Sequence, residues 1–384
     1  MPIKNTQLIE DEQWTEHEQL IENTQELVLN LGPQHPSTHG VMRFVIHMAG
    51  ETVTKIEPKM GYLHRGMEKL AEARTYAQFT PYTDRLDYIS APYNNWAYVM
   101  TVEKLMGIEV PERAEYLRVI FGELARIVSH QVFLASMALD MNGFTAWMYP
   151  FRDRERIMDL YEMTAGSRLT VNSMRIGGIA EPPPEFWPAL QAFLDDTPEM
   201  IDEYNGMILG NEILQSRLKY VGILPKETAE QYSVTGPVLR ASGVGYDVRK
   251  AQPYSIYDRF DFNVAVRHGC DSYDRTIIRM DEIVESLKII KQAVRDIPEG
   301  PVMAKVPKVL KPPVGEIYHR VENPKGELGF YIVSDGTTKP ARMRIRSGTF
   351  INMQVVPLMS LNWKIQDFVL IFATLDACLG EIDK

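Results

Sequence analysis

Apolar and polar positions alternate in the manner of half-buried strands over residues 26–31, 41–48 and 51–57, with Ala49-Gly50 as a turn pair between the last two runs. After Met60 the period lengthens to that of a helix. A second helix is predicted from Thr83 to Met106, with Asp84, Arg85 and Tyr88 as neighbours on it and a kink or restart at Pro92. The strongest stripe follows Pro111, where Leu117, Ile120, Phe121, Leu124, Ile127, Val128, Phe133 and Leu134 sustain a helix to about Met141. At 1.5 Å per residue, about 30 residues span about 45 Å, the length of a bundle core element. Further helices are predicted over 152–166, over 186–204 with an interruption at Thr197-Pro198, over 211–220 and over 273–297. Strand character returns over 315–346, with Asp335-Gly336 as a hairpin turn, and the last apolar segment covers 355–379. The expected fold class is α+β, a mainly helical body with small antiparallel sheets at its N-terminal and C-terminal ends. Its parts would be an arm (1–24), an N-terminal β region (25–60), a helical body (61–310), and a C-terminal β region with a final helix completing the core (311–384).

One stretch interrupts the strand pattern. Leu-Gly-Pro-Gln-His-Pro-Ser-Thr-His-Gly (31–40) places His35 and His39 four residues apart, which on a helix would put both on one face. Pro33, Pro36 and Gly40 disfavour a helix, so the stretch reads as a loop presenting its histidines between two strands. No third and fourth ligand follows at the spacing of a zinc site. Other candidates are weak singly. Tyr88 fits a packed core tyrosine as well as a donor to a ligand. Asp140, among Met137, Leu139 and Met141, is either a helix-end residue facing water or a buried carboxylate in need of a partner. Arg65 and Arg85 suit structural ion pairs equally well.

Composition narrows the classes. Lys and Arg number 41 against 51 Asp and Glu, and this net charge of −10, without a long basic run, argues against nucleic acid as a partner. Two cysteines, Cys270 and Cys378, cannot form a disulfide framework or a four-thiolate metal site. The polar, acidic N-terminus does not read as a signal peptide, and no long uncharged apolar run reads as a membrane span. Gly243-Val-Gly245 lacks the third glycine of a dinucleotide fingerprint, and no phosphate-binding loop occurs. Composition and spacing alone stop at a large α+β protein with an undetermined site.

The motifs go further. Residues 31–40, Gly-Tyr-Leu-His-Arg-Gly-Met-Glu (61–68), Asp-Arg-Leu-Asp-Tyr (84–88), Leu-Arg-Ala-Ser-Gly-Val (239–244), Ser-Tyr-Asp-Arg (272–275) and Gly-Glu-Ile-Asp-Lys (380–384) together resemble the D-subunit, or 49-kDa, family of the NADH-quinone oxidoreductases of complex I. The resemblance spans nearly the whole chain in the family's order. It implies a hydrogenase-large-subunit-like fold and a peripheral-arm subunit with no redox centre of its own. With the neighbouring B-subunit, which carries the terminal [4Fe–4S] cluster, it would form the cavity where quinone is reduced, coupled to proton translocation. By the family pattern His39 and Tyr88 bind the quinone carbonyls, Asp140 pairs with His39, and His35 shares the loop. Arg65 and Arg85 lie near the cluster, and Ile382 lines the cavity. The B-, C- and I-subunits and the membrane-embedded H-subunit are the implied complex I partners, at the cytoplasmic face of a bacterial inner membrane.

Three departures from the family pattern stand out. Thr170 occupies a place often held by a histidine, and threonine does not titrate, so a cluster potential less dependent on pH is expected. Residues 269–274 rearrange a stretch that more often reads Gly-Asp-Cys-Tyr-Asp, and Lys384 replaces a common arginine. The related nickel–iron hydrogenases hold their metals on two CxxC pairs, whereas here Glu381 stands where a thiol would be required beside Cys378, so a nickel site is not expected. Three other readings remain: the same role in a complex fed by ferredoxin or another donor, a non-catalytic assembly scaffold, and a freestanding metalloenzyme, which would need bound metal in the isolated chain.

Overall fold

The structure, a computed structural model, describes residues 26–384; the arm expected over 1–24 lies outside them. Three antiparallel strands open the described chain: β1 (Glu26–Leu31), β2 (Arg43–Ala49) and β3 (Thr52–Lys59), in that spatial order. Leu31 pairs with Phe44 and Glu26 with Ala49. On β2, Phe44, Ile46 and Met48 are buried while the residues between them are partly exposed, the alternation of a sheet covered on one face. The cover is C-terminal in sequence. Phe44 meets the rings of Phe368 and Phe372 edge-on at centroid separations of 5.1 and 4.9 Å.

The body is built from α1 (Met67–Ala73), α2 (Tyr76–Thr83), α3 (Ala91–Met106), α4 (Glu112–Asp140), α5 (Phe144–Ala165), α6 (Phe186–Tyr204) and α7 (Ser272–Asp296). The 29-residue α4 is its axis, packed between α5 and α7. By length and composition it could cross a membrane, yet 89% of its most apolar window is buried inside this chain's own fold. Ionic contacts interleave with that apolar core. Arg118 forks onto Glu103 of α3 at 2.6 and 2.9 Å, and Glu123 accepts hydrogen bonds from Tyr93, Arg126, Arg249, Tyr257 and Ser286. Burial opposes the Glu123 charge, but Arg126 and Arg249 outweigh it and bring its pKa down to about 2.

A second antiparallel sheet, β4 (Gly315–Asn323), β5 (Gly326–Ser334) and β6 (Arg342–Arg346), packs β4 and β5 on α3. The chain ends through α8 (Ile365–Ala373) and α9 (Leu379–Ile382). The α+β architecture, helical with small antiparallel sheets at both ends, is as expected.

Several boundaries differ from the sequence reading. No helix runs from Thr83 to Met106: α2 stops at Thr83 and α3 begins at Ala91, with Pro92 in its first turn, where the missing N–H costs nothing. Asp84, Arg85 and Tyr88 therefore sit on a turn. α6 runs unbroken through Pro198 because the Thr197 hydroxyl donates to the Leu194 carbonyl at 2.7 Å, the acceptor that Pro198 cannot serve. α5 starts at Phe144 and tolerates Pro150 inside it. Asp335-Gly336 opens the β5–β6 hairpin as expected, in a loop over 335–341 rather than a tight turn, and the tight turn is Pro324-Lys325, closed by Asn323 opposite Gly326. The last apolar segment is several short helices, parted where Asn362 and Asp376 take positive φ.

Candidate functional site

The connection from β1 to β2 is a small structure in itself. Gln34 and His35 pair with Val41 and Gly40, and a 3-10 turn over Pro36–Thr38 closes the ladder. The buried Thr38 hydroxyl lies 2.7 Å from both the His35 and Gly40 carbonyl oxygens. His39 leaves the turn at φ 53, its N–H donating to the Pro36 carbonyl at 3.1 Å. The two histidines part here. His35 is exposed, its Nδ1 accepting from the Ser37 N–H at 3.2 Å. His39 turns inward and sets its Nε2 2.7 Å from Oδ2 of Asp140, the last residue of α4. The two side chains are only 17% and 11% exposed, so the contact is largely shielded from water.

Tyr88 arrives from the turn over residues 84–90. Asp87 anchors that turn: its carboxylate accepts from the Ser90 hydroxyl at 2.5 Å and the Ile89 N–H at 3.2 Å, and its carbonyl accepts from Asn94 at 2.8 Å. The chain end seats both loops. A Cβ at Gly380 would come within 2.5 Å of the Leu86 carbonyl oxygen and 3.1 Å of the Tyr88 ring. A Cβ at Gly40 would meet Leu379 at 2.8 Å. Only glycine permits these approaches.

These elements enclose a cavity of about 550 Å³. Its wall is His39 with Pro36 and Ser37, Tyr88 with Ile89, Val132, Ser136, Leu139 and Asp140 along α4, and Asn142 with Phe144. Lys325, Asp376, Ala377 and Cys378 complete it. The Cys378 sulfur, burial and the Asp87 carboxylate all hold the Tyr88 hydroxyl well above its ordinary pKa, and burial pushes the Cys378 thiol up as well. Both are neutral donors at pH 7. The cavity thus offers a slot with Ile89, Val132, Leu139 and Phe144 as its apolar side and a tyrosine hydroxyl and a carboxylate-backed imidazole among its polar groups, which suits a flat molecule bearing acceptor oxygens.

The remaining candidates lie elsewhere. Arg65 donates to the Arg85 carbonyl at 2.7 Å and the Gly380 carbonyl at 2.5 Å, tying the Tyr88 turn to the chain end. The half-exposed Arg85 guanidinium sits 2.9 Å from both oxygens of Asp84. Burial, only partly opposed by Arg85, raises the Asp84 pKa to about 6. Ile382 is not on the wall of the His39–Tyr88 cavity. It is 4% exposed and lines a separate recess with His64, Arg346 and Lys384. Glu381 is buried and accepts from Thr349 at 2.7 Å. Among the described residues no group of three or more His, Cys, Asp or Glu side chains is placed to hold a metal ion.

Lys325 and Asp376 escaped the sequence reading. Lys325 follows a proline in a hairpin turn, where lysine ordinarily meets solvent, and nothing in its neighbours signals burial. Asp376 precedes Ala377-Cys378, and that stretch drew notice only for its cysteine.

Comparison with known proteins supplies the decisive observation. The family described as "Respiratory-chain NADH dehydrogenase, 49 Kd subunit" matches residues 140–314 and 306–384. The NADH-quinone oxidoreductase D-subunit of Desulfitobacterium hafniense is 69% identical over 364 residues, 94% of this chain and 98% of that protein. The chain belongs to the 49-kDa subunit family. The D-subunits of Clostridium beijerinckii and Carboxydothermus hydrogenoformans follow at 58% and 54% identity, each covering 94% of this chain and 98% and 99% of their own lengths. Membership makes the chain part of an NADH-quinone oxidoreductase of the complex I type, with other complex I subunits as its partners in a membrane-associated complex.

Proposed function

We propose that the cavity between the 31–40 loop and the end of α4 receives a quinone headgroup, and that His39 and Tyr88 donate to its two carbonyl oxygens. The observation that supports this most is the 2.7 Å contact between His39 and Asp140, residues 101 apart in sequence, on the wall of a cavity that Tyr88 also lines. A quinone gains two electrons and two protons on reduction, and negative charge develops on its carbonyl oxygens. Donors fixed in a shielded cavity stabilise that charge without reorganising, and can deliver the protons. Asp140 fixes the orientation of the His39 ring and stands opposite any positive charge the ring carries. Once His39 gives up its proton, Asp140 faces a neutral ring. In this reading that change in charge balance starts the coupling to proton translocation.

The electrons would come from a [4Fe–4S] cluster on the B-subunit, on the side of Arg65 and Arg85. The C- and I-subunits would complete the peripheral arm, and the membrane-embedded H-subunit would present the quinone at the cytoplasmic face of the membrane. The test uses the assembled complex carrying His39→Ala, Tyr88→Phe or Asp140→Asn. Each is expected to lower kcat for quinone reduction by about 10²-fold, the scale of a lost positioned proton donor or its support. Reduction of the clusters by the electron donor should stay intact. If His39→Ala and Tyr88→Phe leave quinone reduction unchanged, the cavity assignment is wrong. If Asp140→Asn leaves both reduction and proton translocation intact, the relay is wrong.

A further inference from the structure

The floor of the cavity holds a buried ion cluster with no part in the reaction described so far. Lys325, in the tight turn between β4 and β5, is 2% exposed, and its ammonium lies 3.4 Å from Asp87 and 3.5 Å from Asp376. A lysine ammonium has three hydrogens to donate. Among the described residues its one side-chain hydrogen bond is to the Ser129 hydroxyl, at 2.7 Å. Asp376 mirrors it. Its Oδ2 is buried without a hydrogen-bond partner among the described residues, its φ is 58, and Arg279 approaches no closer than 3.9 Å. An under-satisfied buried ion pair costs stability that well-packed apolar side chains in its place would not. Both residues line the cavity. Burial presses Lys325 toward the neutral amine, but Asp376 and Asp87 outweigh it and hold its pKa above the ordinary value. Lys325 is therefore a permanent positive charge at neutral pH.

We propose that Lys325 and Asp376 form an electrostatic pair that sets how readily a quinone in this cavity accepts electrons, Lys325 favouring the reduced headgroup and Asp376 opposing it. The inference rests on the quinone reading of the cavity. Two electrons from the neighbouring subunit's iron–sulfur cluster and two protons, from His39 and Tyr88, convert the quinone to the quinol, and Lys325 keeps its own proton throughout. Between the arrival of an electron and of its proton, a carbonyl oxygen carries negative charge. Fixed charges in the adjoining low-dielectric wall act on that oxygen directly. Because the two charges are opposite, their removal has opposite consequences. A merely structural pair would not behave so.

The test is kcat of the assembled complex with a series of water-soluble quinones of graded reduction potential. Lys325→Met is expected to lower kcat with low-potential naphthoquinones about tenfold more than with high-potential benzoquinones, as one nearby charge readily supplies. Asp376→Asn should shift the preference the other way, and Lys325→Arg should stay close to the unmodified complex. A uniform loss across the series, or a shift of the same sign in both variants, overturns the proposal. Should Lys325→Met fail to assemble, Asp376→Asn decides alone: no relative gain with the low-potential quinones overturns it. His39→Ala and Tyr88→Phe in the same assay separate the two claims. If they leave quinone reduction intact, the cavity reading fails; if they suppress it while Lys325→Met shows no potential dependence, only the pair's role fails.

Discussion

At the scale of the residue, burial changes what a side chain can do, and the histidines show it. His35 and His39 share a loop, yet one meets solvent and the other Asp140. His130, on α4, is fully buried against Glu282 at 2.9 Å, with its Nδ1 unpartnered among the described residues. Burial pulls its pKa down to about 4, against an upward pull from Glu282 and a further downward one from Arg279 and Arg126. Below pH 6.5 the unfolded chain binds a proton at this histidine that the folded chain refuses until about pH 4. The unfolded state then binds more protons, so stability is lost as pH falls from 6.5 towards 4. Thermal unfolding of the full chain between about pH 7 and 5 should show this, and His130→Gln should flatten the dependence. An unchanged slope in the variant would remove His130 as its source. His39 and Tyr88 were legible as candidates because loop histidines and the 84–88 motif stand out in the sequence. Their meeting followed from the family resemblance and not from pattern or spacing, since it depends on Gly40 and Gly380 admitting the chain end against both loops.

At the scale of the element, α4 was legible almost to the residue because its apolar stripe is unbroken and Pro111 marks its start. The turn that carries Tyr88 was not. Its polar residues also suit an exposed helical face, and the Asp87 contacts with Ser90, Ile89 and Asn94, with Arg65 on the Arg85 carbonyl, fix the non-helical course. Pro198 misled in the opposite direction, because a neighbouring hydroxyl compensates for the missing N–H. α4 also carries a cost that its periodicity conceals. Arg118 is fully buried and forks onto Glu103, while its Nη2 also reaches the Arg175 and Gly178 carbonyls at 2.9 and 3.0 Å. Removing the carboxylate takes away the forked partner and leaves the buried guanidinium only Glu115, 3.6 Å away, as counter-charge. Glu103→Gln is expected to destabilise the chain by about 3–5 kcal/mol. Chemical denaturation of the full chain measures it, and a loss below about 1 kcal/mol, the range of an exposed pair, would show that the buried charge is compensated some other way.

At the scale of the whole molecule, the site forms where the two ends of the described chain come together. The β1–β2 connection supplies His39, α4 supplies Asp140, the 84–90 turn supplies Tyr88, and the connections of the C-terminal strands and helices supply Lys325 and Asp376. The α+β class followed from periodicity alone, because local patterning determines element type. The convergence of distant segments leaves no such trace. It came into view through motifs, and the buried Lys325–Asp376 pair only through the structure. The functional reading turns on a quinone headgroup seated between His39 and Tyr88. A high-resolution structure of the assembled complex with a short-chain quinone bound tests that seat without intermediaries. Carbonyl oxygens are expected within about 2.6–3.2 Å of the His39 imidazole and the Tyr88 hydroxyl. A headgroup bound elsewhere, with His39 still closed on Asp140 and the cavity filled by water, would refute it.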